Sequence, residues 1–471
     1  MSPDRRAKLV CTLGPATATR DRVRELAEAG TDVFRINLSH GDARARRPLY
    51  DAVRSVAQER GTDLAIMADL PGPKIRLGEL VDGDVRLEVD TTFELRAEGP
   101  IGDASGATTT YPALADDLED GDRVLLSDGA VELTVSGRDG TTLVTRVVRS
   151  GRIRSGAGLN VPAERLSVPA ITDRDRIGLE EVLDAGVDLV AQSFVRRARD
   201  IADLRTLMGE REVPIVAKIE TRPATDDIVA ILDEADAIMV ARGDLGVELP
   251  MEDIPLIQKQ LLRAAQLARK PVIVATQMLE SMIAAPRPTR AEASDVANAV
   301  IDGTDAIMLS GETAIGEYPI DATRAAARIA EVAEEGAGAF RVSAPPCVHR
   351  DEASAVAHAA AQIANDDDAV VAIACYTETG RTAALLSSER PGVPIYAFIP
   401  DETVRRSIAL RWGVRTVDVG EPSDTDQMIA LMDAGLRAQG LAEPGRSVVM
   451  AASSPAGQTH TNLLKVHHIT G

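Results

Sequence analysis

Lys218 and Glu220 stand two residues apart in Pro214-Ile-Val-Ala-Lys-Ile-Glu220, a run that is otherwise apolar and reads as a buried strand. Side chains two apart on a strand share a face, so the ammonium and the carboxylate point into the same space. A second carboxylate, Asp244, follows the apolar run Ala237-Ile-Met-Val-Ala-Arg242 after Gly243. Two carboxylates offer hard oxygen ligands, which suit Mg²⁺ or Mn²⁺ and leave positions for water and a phosphate. No His or Cys accompanies them, which argues against zinc. Arg35, Arg76 and Lys218 can surround a phosphoryl group, whose transfer rests on positioning and charge stabilisation. A cation beside a metal also stabilises an enolate. The set therefore fits a substrate carrying phosphate on an enol oxygen.

Other apolar runs end in the same way. Asp32-Val-Phe-Arg-Ile-Asn-Leu38 carries Arg35 and Asn37 and is followed by Ser39 and His40. Asp69 closes Leu64-Ala-Ile-Met-Ala-Asp-Leu70, with Lys74 and Arg76 just beyond. Thr276-Gln277 ends the run from Pro271, and Ser310-Gly311-Glu312 the run from Ala306. A single charge at such a place is most simply a solvated loop residue. Its recurrence from strand to strand describes a site, because strands buried on both faces are otherwise apolar.

These residues need a frame that gathers strand ends. Strand-like runs at Lys8–Leu13, Asp32–Leu38 and Leu64–Leu70 alternate with helical patterns over Arg20–Ala29 and Leu49–Glu59, stopped by Gly30 and Gly61. From about residue 74 to 168 the texture changes to period-two alternation with Asp-Gly and Gly-Asp turns, as in Val131-Glu-Leu-Thr-Val135. After Pro169 the strand–helix alternation resumes, with strands ending near Phe194, Glu220, Arg242, Thr276 and Ser310. Together the two stretches give eight βα units, the number a TIM (β/α)8 barrel needs, with its chemistry at the C-terminal strand ends. Thr289-Arg-Ala-Glu292 is a capping box ahead of a helix. A third region from about residue 345 has a few further strands, which fits an open α/β sheet. The expected domains are a barrel of 1–72 and 169–343, an inserted β-rich lid of 73–168 and a C-terminal α/β domain of 344–471. No internal repeat is apparent.

Composition narrows the partners. The chain has 471 residues, more than one ordinary domain holds, and is 45 % apolar but only 2 % aromatic, so its cores must be aliphatic. A formal charge of −21 argues against nucleic acid and anionic membranes, though not against phosphorylated small molecules. Cys11, Cys347 and Cys375 are too scattered for a disulfide framework or a metal site. No signal-peptide pattern or membrane-length apolar run occurs, and a cytoplasmic protein is expected.

The motifs Arg35-Ile-Asn-Leu-Ser-His40, Lys218-Ile-Glu220, Ala241-Arg-Gly-Asp-Leu-Gly-Val-Glu248, Ala275-Thr-Gln-Met-Leu-Glu-Ser-Met282 and Leu309-Ser-Gly-Glu-Thr-Ala314 resemble those of the pyruvate kinase family over nearly the whole chain. The resemblance implies phosphoryl transfer from phosphoenolpyruvate to ADP, giving pyruvate and ATP, in a cytoplasmic homotetramer. It implies that Glu220 and Asp244 hold Mg²⁺, that Arg35 and Lys218 act on the phosphoryl group and the enolate, and that Gly243, Asp244 and Thr276 contact substrate. Ser310 is implied in the proton path to the methylene carbon. Arg76, His40 and Asn37 would serve the nucleotide, the insert would close as a lid, and Asp128 in Ser127-Asp-Gly129 would be a lid contact.

Two departures stand out. Members of the family that use K⁺ bind it with residues matching Asn37, Ser39 and Asp69 and a Glu at the start of the lid, where this chain has Lys74. Activity without K⁺ is therefore expected. A family lysine ahead of Gly-x-Asn-x-Pro is replaced by Ala157, with Arg154 a candidate to compensate. In the third domain, Thr377-Glu-Thr-Gly-Arg-Thr382 places Thr377, Thr379, Gly380, Arg381 and Thr382 at a helix start, where a phosphorylated effector would bind. Asp366-Asp-Asp368 and the pair Arg46-Arg47 read as solvated surface. His467 and His468 should face opposite ways on a strand. The competing readings are a metal-dependent enolate lyase or aldolase on a similar barrel, and a diverged metabolite-binding paralogue of weak activity.

Overall fold

The computed structural model describes residues 5–336, 351–440, 446–454 and 460–469. Cys347 and the expected boundary at 343/344 lie outside these residues. Eight parallel strands close into a barrel: Lys8–Thr12, Val33–Asn37, Ala65–Leu70, Leu189–Gln192, Ile215–Ile219, Ala237–Ala241, Val272–Ala275 and Ala306–Leu309, in sequential order around the ring. Side chains alternate between a helix-facing layer and an interior filled by small and flexible residues. On the fifth strand Ile215, Ala217 and Ile219 face the helices, while Val216 packs inside with Met67, Met239 and Met308. Lys218 is the next inward position, at the mouth.

The N-terminal end of the barrel repeats one device four times. Asp32, Asp188, Asp236 and Asp305 each immediately precede an even-numbered strand. Each donates its backbone N–H to the carbonyl of a residue on the preceding odd strand, respectively Leu9, Ile66, Ile215 and Val272. Each also accepts that same residue's N–H on its carboxylate, at 2.7–2.9 Å. The sequences are Gly30-Thr-Asp-Val33, Gly186-Val-Asp-Leu189, Glu234-Ala-Asp-Ala237 and Gly303-Thr-Asp-Ala306. The expectation of no internal repeat thus misses a four-fold one.

Between the third and fourth strands an insertion forms a six-stranded sheet and a two-stranded ribbon around a separate aliphatic core that includes Phe93, Leu126 and Leu133. Its two connections to the barrel are tied down. Gly72 N–H donates to Asp175 at 3.0 Å on the entry side, and buried Arg196 donates to the Leu166 and Val168 carbonyls at 2.7 Å on the exit side.

The C-terminal domain is a five-stranded sheet ordered Val414–Asp418, Ile395–Ile399, Val370–Tyr376, Ser447–Ala452, Leu463–His468, with only the last strand antiparallel. It seats on the closed end of the barrel. Leu410 joins the barrel-interior cluster, Arg390 pairs with Asp305 at 2.9 Å, and Arg406 pairs with Asp188 at 2.8 Å. His467 and His468 do face opposite ways, His467 to Asp433 and His468 to Ser447.

Two local expectations are corrected. The helix expected from Leu49 runs Ala43–Arg60 with Pro48 inside it. Asp42 caps its start through the Ala45 N–H, so the helix begins upstream of the proline that masked it. Arg46 is not solvated: it is buried, pairs with Glu181, and donates to the carbonyls of His40 and Gly41. Its partner lies 135 residues away in sequence, beyond the reach of any local pattern. Arg47 is exposed, as expected.

Candidate active site

Lys218 is buried, and its ammonium has three acceptors: Glu220 Oε1 at 2.7 Å, Ser193 Oγ at 2.6 Å and Asp69 Oδ1 at 3.3 Å. Burial opposes the charge, but Asp69 and Glu220 outweigh it and raise the ammonium's pKa above its ordinary value. Lys218 therefore stays cationic at any working pH. The other oxygen of Asp69 receives Arg35 at 2.7 Å, and Arg35 also donates to Thr12 Oγ1 at 3.1 Å. Burial works against the Asp69 carboxylate too, yet Lys218 and Arg35 together hold its pKa below normal. Asp69, read from the sequence as part of a monovalent-cation region, is the counter-ion joining the two cations.

Glu220 accepts the Phe194 N–H on Oε2 at 2.9 Å. Burial raises its pKa, and the negative charge of Asp244 adds to the rise. A buried carboxylate whose charge is disfavoured by burial and by the carboxylate beside it is what a hard divalent cation would relieve, so this donor set fits Mg²⁺ or Mn²⁺. The described residues contain no cluster of three or more His, Cys, Asp or Glu suited to a metal; a two-carboxylate site would leave the remaining positions to water and substrate.

Beside this pair, Gly243 N–H donates to Thr276 Oγ1 at 2.8 Å. A Cβ on Gly243 would meet that oxygen at 3.4 Å, in van der Waals contact. Thr276 and Gln277 both take left-handed φ values, 68° and 54°, which non-glycine residues avoid unless held. Arg242 holds them: it donates to the Thr276 carbonyl at 2.8 Å and pairs with Asp295 at 2.7 Å. Ser310 follows the eighth strand, and its N–H is fixed at 2.7 Å by buried Glu312, which also accepts from Leu279.

Toward the lid, a cleft of about 530 Å³ is lined by Ser39, His40, Lys74, Arg76 and Arg174 among others, and by no Asp or Glu. In a chain of −21, an acid-free cleft with three cations has the charge that suits an anion. Asn37 turns inward to accept the Ser39 N–H at 2.9 Å, and Arg174 is oriented by the Ser39 carbonyl at 3.1 Å. Lys74 reaches across to the lid, where its Cε and Asp128 Oδ1 flank Gly158. Neither Arg154 nor Ala157 lines this cleft; Arg154 lies on the lid ribbon opposite Asp84. Arg174, absent from the sequence reading, is the added cation.

The sequence reading also missed Thr12, Ser193 and the Phe194 backbone. The strand containing Ser193 carries no charge at its end, so nothing marked it. In the C-terminal domain, Gly380 caps the helix Arg381–Ser388 with φ 77°. Thr377 is buried, Thr379 Oγ1 accepts the Arg381 N–H at 3.5 Å, Thr382 bonds Thr461 at 2.7 Å, and Arg381 pairs with Asp351. The loop belongs to the C-terminal domain, where Gly380 packs closely on Ile408.

Residues 4–323 match the family model described as "Pyruvate kinase, barrel domain" and residues 354–467 the one described as "Pyruvate kinase, alpha/beta domain". A pyruvate kinase of Mycobacterium tuberculosis is 43% identical over 99% of this chain and 98% of its own. One of Corynebacterium glutamicum is 42% identical over 98% of each. The crystal structure of a pyruvate kinase from Cryptosporidium parvum superimposes with a TM-score of 0.92 at 32% identity, covering 99% of this chain and 97% of that one. With its barrel, its lid and its α/β domain all matched, the chain belongs to the pyruvate kinase family.

Proposed function

We propose that the chain transfers the phosphoryl group of phosphoenolpyruvate to ADP, giving pyruvate and ATP, at the cluster around Lys218. The observation that carries this reading is Asp69 bridging Arg35 and Lys218, which sets two cations beside the carboxylate pair Glu220 and Asp244. Glu220 and Asp244 would hold Mg²⁺ or Mn²⁺; when bound, such an ion supplies positive charge to the phosphate and enolate oxygens. Arg35 binds the phosphoryl group. Lys218 donates to the bridging oxygen, where the electron pair remains when the phosphorus–oxygen bond breaks. The Gly243 backbone and the Thr276 hydroxyl orient the substrate carboxylate, and Ser310 stands on the proton path to the methylene carbon.

ADP is assigned to the acid-free cleft, with His40 and Arg76 on its polyphosphate side and Asn37 acting behind them through the Ser39 N–H. Lid closure over that cleft would exclude water, so that phosphate passes to the nucleotide and not to solvent. Lys74, where K⁺-using members of the family carry Glu, adds a fixed ammonium to the cleft and is the ground for proposing activity without K⁺. The boundaries 1–72 with 169–343, 73–168 and 344–471 are the proposed catalytic, lid and regulatory domains. The Thr377–Thr382 loop is the proposed seat of a phosphorylated effector. No helix among the described residues is long and apolar enough to cross a membrane; a cytoplasmic homotetramer is proposed from the family resemblance.

A lactate-dehydrogenase-coupled assay with phosphoenolpyruvate, ADP and Mg²⁺ tests the reading. Steady pyruvate formation supports it, and no turnover with any nucleoside diphosphate ends it. A lyase or aldolase would act without nucleotide. A binding-only paralogue would take up phosphoenolpyruvate in calorimetry and form no product.

A further inference from the structure

The ammonium of Lys218 has three N–H bonds and three acceptors, and two of those acceptors have other duties in the reading above, on which this inference rests. Glu220 is a metal ligand there, and Asp69 is engaged with Arg35. The third, Ser193 Oγ, is the shortest contact at 2.6 Å. Its hydroxyl accepts from Lys218 and can donate to Asp69 Oδ1, 3.3 Å away, so both of its hydrogen-bonding roles are used inside the site. A neutral acceptor fixes the ammonium without adding negative charge against an anionic substrate.

The backbone around Ser193 is built for this. Phe194 has φ 54°, an outlier for a bulky residue, and the turn it makes sends its own N–H to Glu220 Oε2. One two-residue turn thus addresses both Lys218 and Glu220. Gly72, at the entry to the lid, packs on the same turn: a Cβ there would lie 2.9 Å from the Phe194 ring and 3.3 Å from the Ser193 carbonyl.

We propose that Ser193 is a positioning residue for phosphoryl transfer, holding Lys218 in line through its hydroxyl, on a turn against which Gly72 packs at the entry to the lid.

The test is steady-state kinetics on S193A, S193T and S193C, with melting temperatures, and on S193A combined with K218M. Loss of the hydroxyl should lower kcat about 30-fold while KM for phosphoenolpyruvate stays within about threefold, the pattern of an interaction made in the transition state. S193T, which keeps the hydroxyl, should stay within about threefold of the unaltered enzyme and S193C, a weaker acceptor, should fall between. In the K218M background S193A should cost nothing further, since its effect passes through Lys218. The inference fails if S193A keeps kcat within about threefold, if S193T is no better than S193A, or if S193A costs the same factor in both backgrounds. Should S193A not fold, S193C stands in under the same criteria. Turnover by the unaltered chain beside an undiminished S193A would sink this inference and leave the assigned function intact.

Discussion

Asp188 ties the two large domains together at a strand of the active-site barrel: its Oδ1 accepts Arg406 of the C-terminal domain at 2.8 Å, while its Oδ2 accepts the Ile66 N–H at 2.7 Å. Arg54 closes the set at 2.8 Å. Three residues after Ile66 the same strand presents Asp69, the counter-ion of Arg35 and Lys218.

Removing this carboxylate leaves the buried Ile66 N–H without an acceptor and takes one partner each from Arg54, which keeps the Leu64 and Gly186 carbonyls, and Arg406, which keeps Glu402. Asp188→Ala should therefore destabilise the protein by about 2–3 kcal/mol, and Asp188→Asn by less. Thermal unfolding followed by circular dichroism checks this. A melting temperature for Asp188→Ala equal to that of the unaltered chain would contradict it.

At the barrel mouth the expected loss is chemical, not structural. Lys218→Met should reduce kcat by about 10³-fold or more, because the developing enolate loses its nearest cation. Glu220→Gln should weaken Mn²⁺ binding, read directly by electron paramagnetic resonance, apart from any effect on turnover. Unchanged Mn²⁺ affinity would remove Glu220 from the ligand set.

Potassium offers a sharper contrast. The unaltered enzyme is expected to run at full rate in Tris buffer free of K⁺, and Lys74→Glu to gain a K⁺ requirement. A strict dependence of the unaltered enzyme on K⁺ would refute the role given to Lys74.

Glu248 gives the pH dependence. Burial pushes its carboxyl up to about 7, from an ordinary value near 4.5 in the unfolded chain. The folded state thus binds the proton more tightly. Its contribution is fully present below about pH 4.5 and is lost as pH rises through about 7. Over that window stability should fall by an amount on the order of 1–2 kcal/mol, discounted for the partial exposure of the side chain. Glu248→Gln should flatten that slope in melting temperatures taken at a series of pH values. An unchanged slope would count against the shift.

Much of this molecule was legible because its strands are short aliphatic runs with polar ends. Lys218 and Glu220 could be set on one face by spacing alone, and the capping box at Thr289 appears as written, with Glu292 reaching back to the Thr289 N–H at 2.7 Å. What escaped was whatever depends on distant partners. Arg46 looks like any surface arginine until Glu181 is brought beside it. Ser193 is a small polar residue at an uncharged strand end, and its importance arises only from the ammonium on the next strand. The four aspartate clamps share one Asp before an apolar residue, with Gly two places ahead in three of them, too brief a signature to register as a repeat.

The acid-free cleft has a kinetic consequence. Phosphoenolpyruvate and ADP approach a body of like sign, so repulsion opposes them at long range and the cations around Arg76 and Arg174 prevail only near the mouth. Salt screens the distant field first, since the Debye length is about 8 Å at physiological ionic strength. Capture should therefore quicken as salt is first added, the reverse of an enzyme that steers its substrates from afar, and slow only when screening reaches into the cleft itself.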